Sequence, residues 1–226
     1  MKPILFNTEM GKGGAPVKAF RFPPQVADEM IRAILDGRKT VTRRVIKPQP
    51  YAVIQQENAQ IWCGHFVSKD GKVLVDKPPY RPGDILYVRE TWCKTDCFGL
   101  QNGYVYKAND NSILEQTGFV PKWHPSIHMP REAARIFLRV TDVRVERLQD
   151  ISEAQARDEG VSPVMITADV DKPDDEKRWE EWIPALPVFT ELWNGTIKLA
   201  DLPIFGWGAN PWVWVIEFER ISKEEA

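Results

Sequence analysis

Apolar residues recur at spacings of three and four over Val26, Ala27, Met30, Ile31, Ile34 and Leu35. That rhythm marks one face of an amphipathic helix. Gly37 follows, and glycine tolerates the left-handed conformation in which helices commonly end. The pattern then changes. Thr40 to Ile46 is rich in β-branched residues and is predicted as a strand leaving the helix.

Upstream, residues 11–24 are rich in Gly and Pro and read as a loop. Residues 47–84 carry prolines at 48, 50, 78, 79 and 82 with weak strands between them, and the 81–84 stretch Arg-Pro-Gly-Asp is a turn signal. Residues 85–92 and 104–108 are predicted as strands, and 118–132 as a structured loop too broken by proline for a helix. From Arg135 to Leu148 the chain alternates through Ile136, Leu138 and Val140, then resumes at Val143 and Val145 after Thr141-Asp142. This is a long strand with a bulge at the interruption. Ser152 and Gln155 form a capping box that opens a short helix, and Gly160 closes it. Residues 162–184 read as a loop or insertion, 188–193 as a turn of helix, and 212–221 as a terminal strand. The predicted class is α+β: a small, curled, mostly antiparallel sheet or barrel with short helices and long loops. The βαβ alternation of a doubly wound sheet is missing.

Composition narrows the picture only in places. The chain has 226 residues, so one large domain or two small ones are possible, and the core needs no staples. Nine Trp with eighteen Pro suggest a sheet-rich body with pinned loops. A formal net charge of −2 argues against coating nucleic acid through bulk charge. Any contact with a polyanion must therefore be local. Arg38, Lys39, Arg43, Arg44 and Lys47 supply a local cluster without an acid, whereas Asp169 to Glu181 is acidic and reads as a solvated loop. The odd set Cys63, Cys93 and Cys97 fits free thiols in a reducing cytosol. No signal-peptide core and no membrane span is legible, so a cytoplasmic location and no membrane partner are expected.

The segment Gly37 to Arg44, GRKTVTRR, carries the densest candidate chemistry. It resembles the helix-ending G-R-K-T-x-T-x-R motif of the ASCH family, a branch of the PUA-like small β-barrels. Two further matches accompany it. One is Pro82-Gly83-Asp84 running into Ile85-Leu86 and on through Arg89-Glu90-Thr91-Trp92; the other is Leu148 to Gly160, with its I-S-E start at Ile151. The resemblance implies a single PUA-like domain over 1–226, with insertions near 47–80, 94–132 and 162–205. The chain resembles the larger, Trp-rich members common in bacteriophages and prophages.

Small bacterial members similar in motif hydrolyse N4-acetylcytidine with a lysine, a threonine three residues later and a glutamate on the short helix. The resemblance therefore implies Lys39, Thr42 and Glu159 as the catalytic set, with Glu153 the competing match for the glutamate. A threonine hydroxyl needs a base to take its proton, and an amine serves as that base only if its pKa falls toward neutrality. Burial and neighbouring cations lower it; a carboxylate raises it. In a regular strand residues 39 and 42 point to opposite faces, so they converge only if the chain turns between them.

Substrate-binding candidates are Arg38, Arg43, Arg44, Glu90, Trp92, Trp123 and Ser126. Arg43 and Arg44 adjoin on a strand and face opposite sides. The resemblance selects Arg44 for the pocket; the alternative is a salt bridge to Glu90. Trp123 and Ser126 lie in a loop whose aromatic and hydroxyl groups suit stacking on a base, or simply cover a sheet edge. His124 and His128 have helical spacing, but Pro125 and Pro130 disfavour the helix. A zinc site from Cys63, His65, Cys93 and Cys97 lacks the usual Cys-x-x-Cys pairing. No cofactor or metal is expected, and no nucleotide-binding glycine loop occurs.

Three functions compete on these residues. The chain binds a nucleoside or single-stranded nucleic acid, hydrolysing an acylated nucleoside in its sharpest form. It cleaves RNA in the same groove. Or it is a non-catalytic phage accessory protein.

Overall fold

The computed structural model describes residues 9–10, 16–21, 26–54, 65–72, 78–95, 103–109, 120–169 and 178–226. Twelve strands lie among them: β1 Glu9–Met10, β2 Pro16–Arg21, β3 Val41–Val45, β4 Ala52–Ile54, β5 His65–Val67, β6 Ile85–Arg89, β7 Trp92–Lys94, β8 Tyr104–Tyr106, β9 Phe137–Arg147, β10 Val164–Asp169, β11 Arg178–Ile183 and β12 Trp212–Ile221. The α-helices are α1 Ala27–Leu35, α2 Glu153–Asp158, α3 Ala185–Thr196 and α4 Leu202–Phe205.

The fold is mixed α+β. Its main sheet runs β1-β2-β6-β9-β12-β3, with β6, β9, β12 and β3 antiparallel and β2 joining β6 in parallel. Among the described residues the ladder stays open, with β3 at one edge. Three two-stranded ribbons, β4-β5, β7-β8 and β10-β11, stand apart from it.

The alternation of β12 separates two cores. Trp214, Ile216 and Phe218 meet Met30, Ile31 and Ile34 of α1, while Val213 and Val215 meet Phe189 and Trp193 of α3 and Ala156 of α2. The sheet thus lies between α1 and the α2–α3 pair. The bulge expected in β9 is present: Glu217 pairs with Asp142 and Phe218 with Val140, leaving Thr141 as the extra residue. It has a packing consequence. Leu138 and Val140 face α1, and without the extra residue Val143 and Val145 would turn to the opposite side. With it, all four share the α1 core.

Several boundaries differ from the sequence reading. The strand expected over 85–92 breaks after Arg89: the Glu90 N–H turns to Met129 Sδ at 3.2 Å, and its carboxylate pairs with Arg135. The 11–24 loop contains β2, and the 162–184 loop contains the ribbon β10-β11. The helix expected over 188–193 extends over Ala185–Thr196. Pro187 falls in its first turn, where the missing N–H has no intrahelical partner to lose. Cys63, Cys97 and the acidic run at 170–177 lie outside the described residues.

Candidate functional site

Helix α1 ends as expected, with Gly37 at φ +73°. The backbone N–H groups of Arg38 and Lys39 both donate to Ala33 O, at 2.8 and 3.0 Å, so the chain turns before the strand begins. Helix α2 docks onto this turn. The Thr40 N–H donates to Asp158 O at 2.9 Å, and Lys39 and Glu159 form an isolated antiparallel bridge. Gly160, at φ +86°, makes the approach possible: a Cβ there would sit 2.7 Å from Ala33 Cβ and 3.0 Å from Lys39 Cβ. Only glycine meets both demands.

This stitching buries four polar residues, Lys39, Thr42, Arg43 and Glu159. Lys39 Nζ donates to Glu159 Oε2 at 2.7 Å, Glu159 O at 2.8 Å and Val41 O at 2.8 Å. Arg43 Nη1 donates to Glu159 Oε1 at 3.2 Å, and its Nη2 reaches Glu146 Oε2 at 3.4 Å. Glu159 is therefore shared by two buried cations. Glu146 passes the network on to Arg144, which also meets Asp142 and Glu217. Burial lowers the Lys39 pKa below the ordinary lysine value. Glu159 opposes the shift through its charge and hydrogen bond, while the charges of Arg44 and Arg43 reinforce it.

A cavity of about 240 Å³ opens beside this cluster. Its polar wall includes Lys39, Thr42, Arg43, Arg44 and Glu159, and its apolar wall includes Met30, Phe189 and Trp193. The expected conflict of strand faces is resolved by the edge position of β3. Thr42 pairs with Ile216 and Arg44 with Trp214, on the α1 side; Arg43 pairs with Val215, on the α3 side. The cavity lies at the edge strand between α1 and α3, so residues from both faces line it. Lys39 precedes the strand and reaches in from the turn.

Other candidates separate. Glu153 accepts the backbone N–H groups of Ala185 and Leu186 at 2.8 and 2.9 Å, which caps α3, and it does not line the cavity. Arg38 is exposed, binding Asp36 and Gly160 O. Glu90 is 1% exposed and holds Arg135 through both oxygens, at 2.8 and 2.7 Å, while Arg44, for which a salt bridge to Glu90 is the alternative reading, lines the cavity. Burial raises its pKa against the opposing pull of Arg135. Trp92 packs on His124 and Tyr104, and Trp123 on Cys93 and Val105. Ser126 opens a short turn ending at His128. None of these lines the cavity.

The sequence reading missed Glu146 and the apolar wall. Ala185, Phe189, Leu192 and Trp193 repeat with helical spacing, so the α3 face was detectable; nothing local marks Glu146 as the second carboxylate on Arg43. Among the described residues no cluster suited to a metal ion occurs, and no helix is long and apolar enough to cross a membrane. Comparison with protein-family models, curated proteins and solved structures finds no match to this chain.

Proposed function

We propose that this chain is an ASCH-type, PUA-like protein whose β3-edge cavity binds a nucleobase-sized ligand and hydrolyses an acylated nucleoside of the N4-acetylcytidine kind. The observation that carries the reading is the convergence of Lys39, Thr42 and Glu159 on one cavity, with the lysine buried and its pKa lowered. A volume of about 240 Å³ is below the roughly 300–1,000 Å³ of drug-sized pockets. It suits a modified base better than a length of nucleic acid.

In the proposed reaction neutral Lys39 takes the Thr42 hydroxyl proton as Thr42 Oγ attacks the acetyl carbonyl carbon. The carbonyl–N4 bond breaks, the departing amine takes the proton now on Lys39, and water then adds to the acetyl-threonine carbonyl, releasing acetate and restoring the Thr42 hydroxyl. Lys39 Nζ must exchange one of its three present acceptors for the Thr42 hydroxyl to begin. Glu159, held by Arg43, orients the amine. Phe189 and Trp193 supply the apolar wall for the base, and Arg44 faces its polar edge or a sugar hydroxyl.

The same three acceptors around Nζ favour a second reading, in which Lys39–Glu159–Arg43 is a structural knot in a non-catalytic binding protein. Acetate release from N4-acetylcytidine separates the two. Wild type turning over, with Lys39→Met inactive, supports hydrolysis. Absence of turnover above a no-enzyme control at high enzyme concentration rejects it for this substrate.

A further inference from the structure

A second polar groove lies on the face of β6 opposite α1. Ile85 and Tyr87 turn to this side, away from Leu86 and Val88, which enter the α1 core. Arg89 is the next residue in the same alternation. The groove has a volume of about 630 Å³, and its lining includes Tyr87, Arg89, Arg131, Glu132, Phe137 and Lys223. It shares no lining residue with the β3-edge cavity.

Arg89 is the unusual member. Among the described residues it has no carboxylate partner. Nη1 donates to Ile127 O at 3.1 Å and Nη2 to the Tyr87 hydroxyl at 2.9 Å. Both acceptors are neutral. Its Nε is buried without a hydrogen-bond partner, and its guanidinium lies 5.4 Å from the centre of the Tyr87 ring. A half-buried guanidinium held by neutral groups has no paired carboxylate among the described residues and is already oriented. By contrast Arg135, Arg139 and Arg144 all have carboxylates. Arg131 and Lys223 also line the groove, and Glu132, the one acid among its described lining residues, accepts the Tyr104 hydroxyl at 3.2 Å. A fixed arginine fork with an exposed lysine beside it is a donor set suited to a phosphate.

We infer that this groove is a second ligand site, distinct from the β3-edge cavity, which takes a phosphate group at Arg89. The chemistry is the same whether the phosphate belongs to a free mononucleotide, to the end of a nucleic-acid strand or to inorganic phosphate. The volume admits a mononucleotide, with Tyr87 and Phe137 as the apolar floor.

Titration calorimetry of the full chain tests this with three probes: inorganic phosphate, adenosine 5′-monophosphate and a short 5′-phosphorylated oligonucleotide. Saturable, salt-sensitive binding of at least one is expected, and the tightest probe identifies the source. Arg89→Gln should weaken it roughly tenfold or more, the scale of a charge-assisted hydrogen bond. Lys223→Glu reverses an exposed charge without touching the core and should weaken it several-fold, which keeps the test sound if Arg89→Gln fails to fold. Failure of all three probes to bind at millimolar concentration overturns the proposal. So does binding that either folded variant leaves unchanged.

Discussion

Glu159 is the residue on which the buried cluster depends, and replacing it by glutamine gives a sharp prediction. The Lys39 and Arg43 side chains are 1% and 0% exposed, and both place a donor on its carboxylate. Glu159→Gln keeps the shape and removes the carboxylate charge that pairs with Lys39. Breaking a buried pair from one side costs about 3–5 kcal/mol, because the partner charge stays buried and uncompensated. Lys39→Met should cost less, about 1–3 kcal/mol, since Glu159 loses its Lys39 donor but keeps Arg43, and the other two groups left without that donor are neutral carbonyls. The double variant should be more stable than the sum of the two losses predicts, by about 0.5–3 kcal/mol. The deficit of Glu159→Gln should also shrink as pH rises. A lysine whose folded pKa is lowered binds fewer protons folded than unfolded, so stability rises with pH between its folded and unfolded values. Without Glu159, burial, Arg44 and Arg43 still lower that pKa, so the window extends further down. Urea unfolding of the four proteins at about pH 6 and about pH 9 measures all of this. A Glu159→Gln loss within about 0.5 kcal/mol of zero, or strict additivity with Lys39→Met, would refute the reasoning.

Gly160→Ala should cost about 2–4 kcal/mol, from a left-handed alanine and a methyl driven against Ala33, read as a lowered urea midpoint. Glu153→Gln should lower the melting temperature at neutral pH. The backbone N–H groups of Leu186 and Ala185 hold the Glu153 pKa below its ordinary value, so its contribution is present above the unfolded pKa and is lost as pH falls through the folded one. The variant and the wild type should therefore converge in strong acid, and a constant gap across pH would contradict the cap. If Lys39 is the base, kcat/KM should rise with pH along a limb centred below the ordinary lysine value of about 10.4. A rate indifferent to pH over that range would exclude it from that role.

The parts of the fold legible in the sequence are those specified by neighbours along the chain. The α1 face, its glycine stop, β3, the Ser152–Gln155 cap and the Thr141 bulge each follow from local periodicity or local hydrogen bonding. Long-range pairing was not legible. Pro16–Arg21 looks like loop until β6 offers it a parallel partner, and Glu90 looks like strand although its N–H goes to Met129 Sδ and its carboxylate to Arg135. The site divides in the same way. GRKTVTRR announces its donors, but strand alternation argues that Lys39, Thr42 and Arg43 cannot share a cavity. They do so because β3 is an edge strand and the turn at Gly37 places Lys39 outside it, and neither fact is local to the motif.

In the proposed reaction Thr42 faces an acyl group in the β3-edge cavity and attacks it. Acetate release from N4-acetylcytidine, followed side by side in wild type and Thr42→Val, tests it most directly. Turnover is expected from the wild type and none from Thr42→Val, which preserves the shape of the buried side chain and replaces its hydroxyl by a methyl. Release by Thr42→Val at the wild-type rate would contradict it.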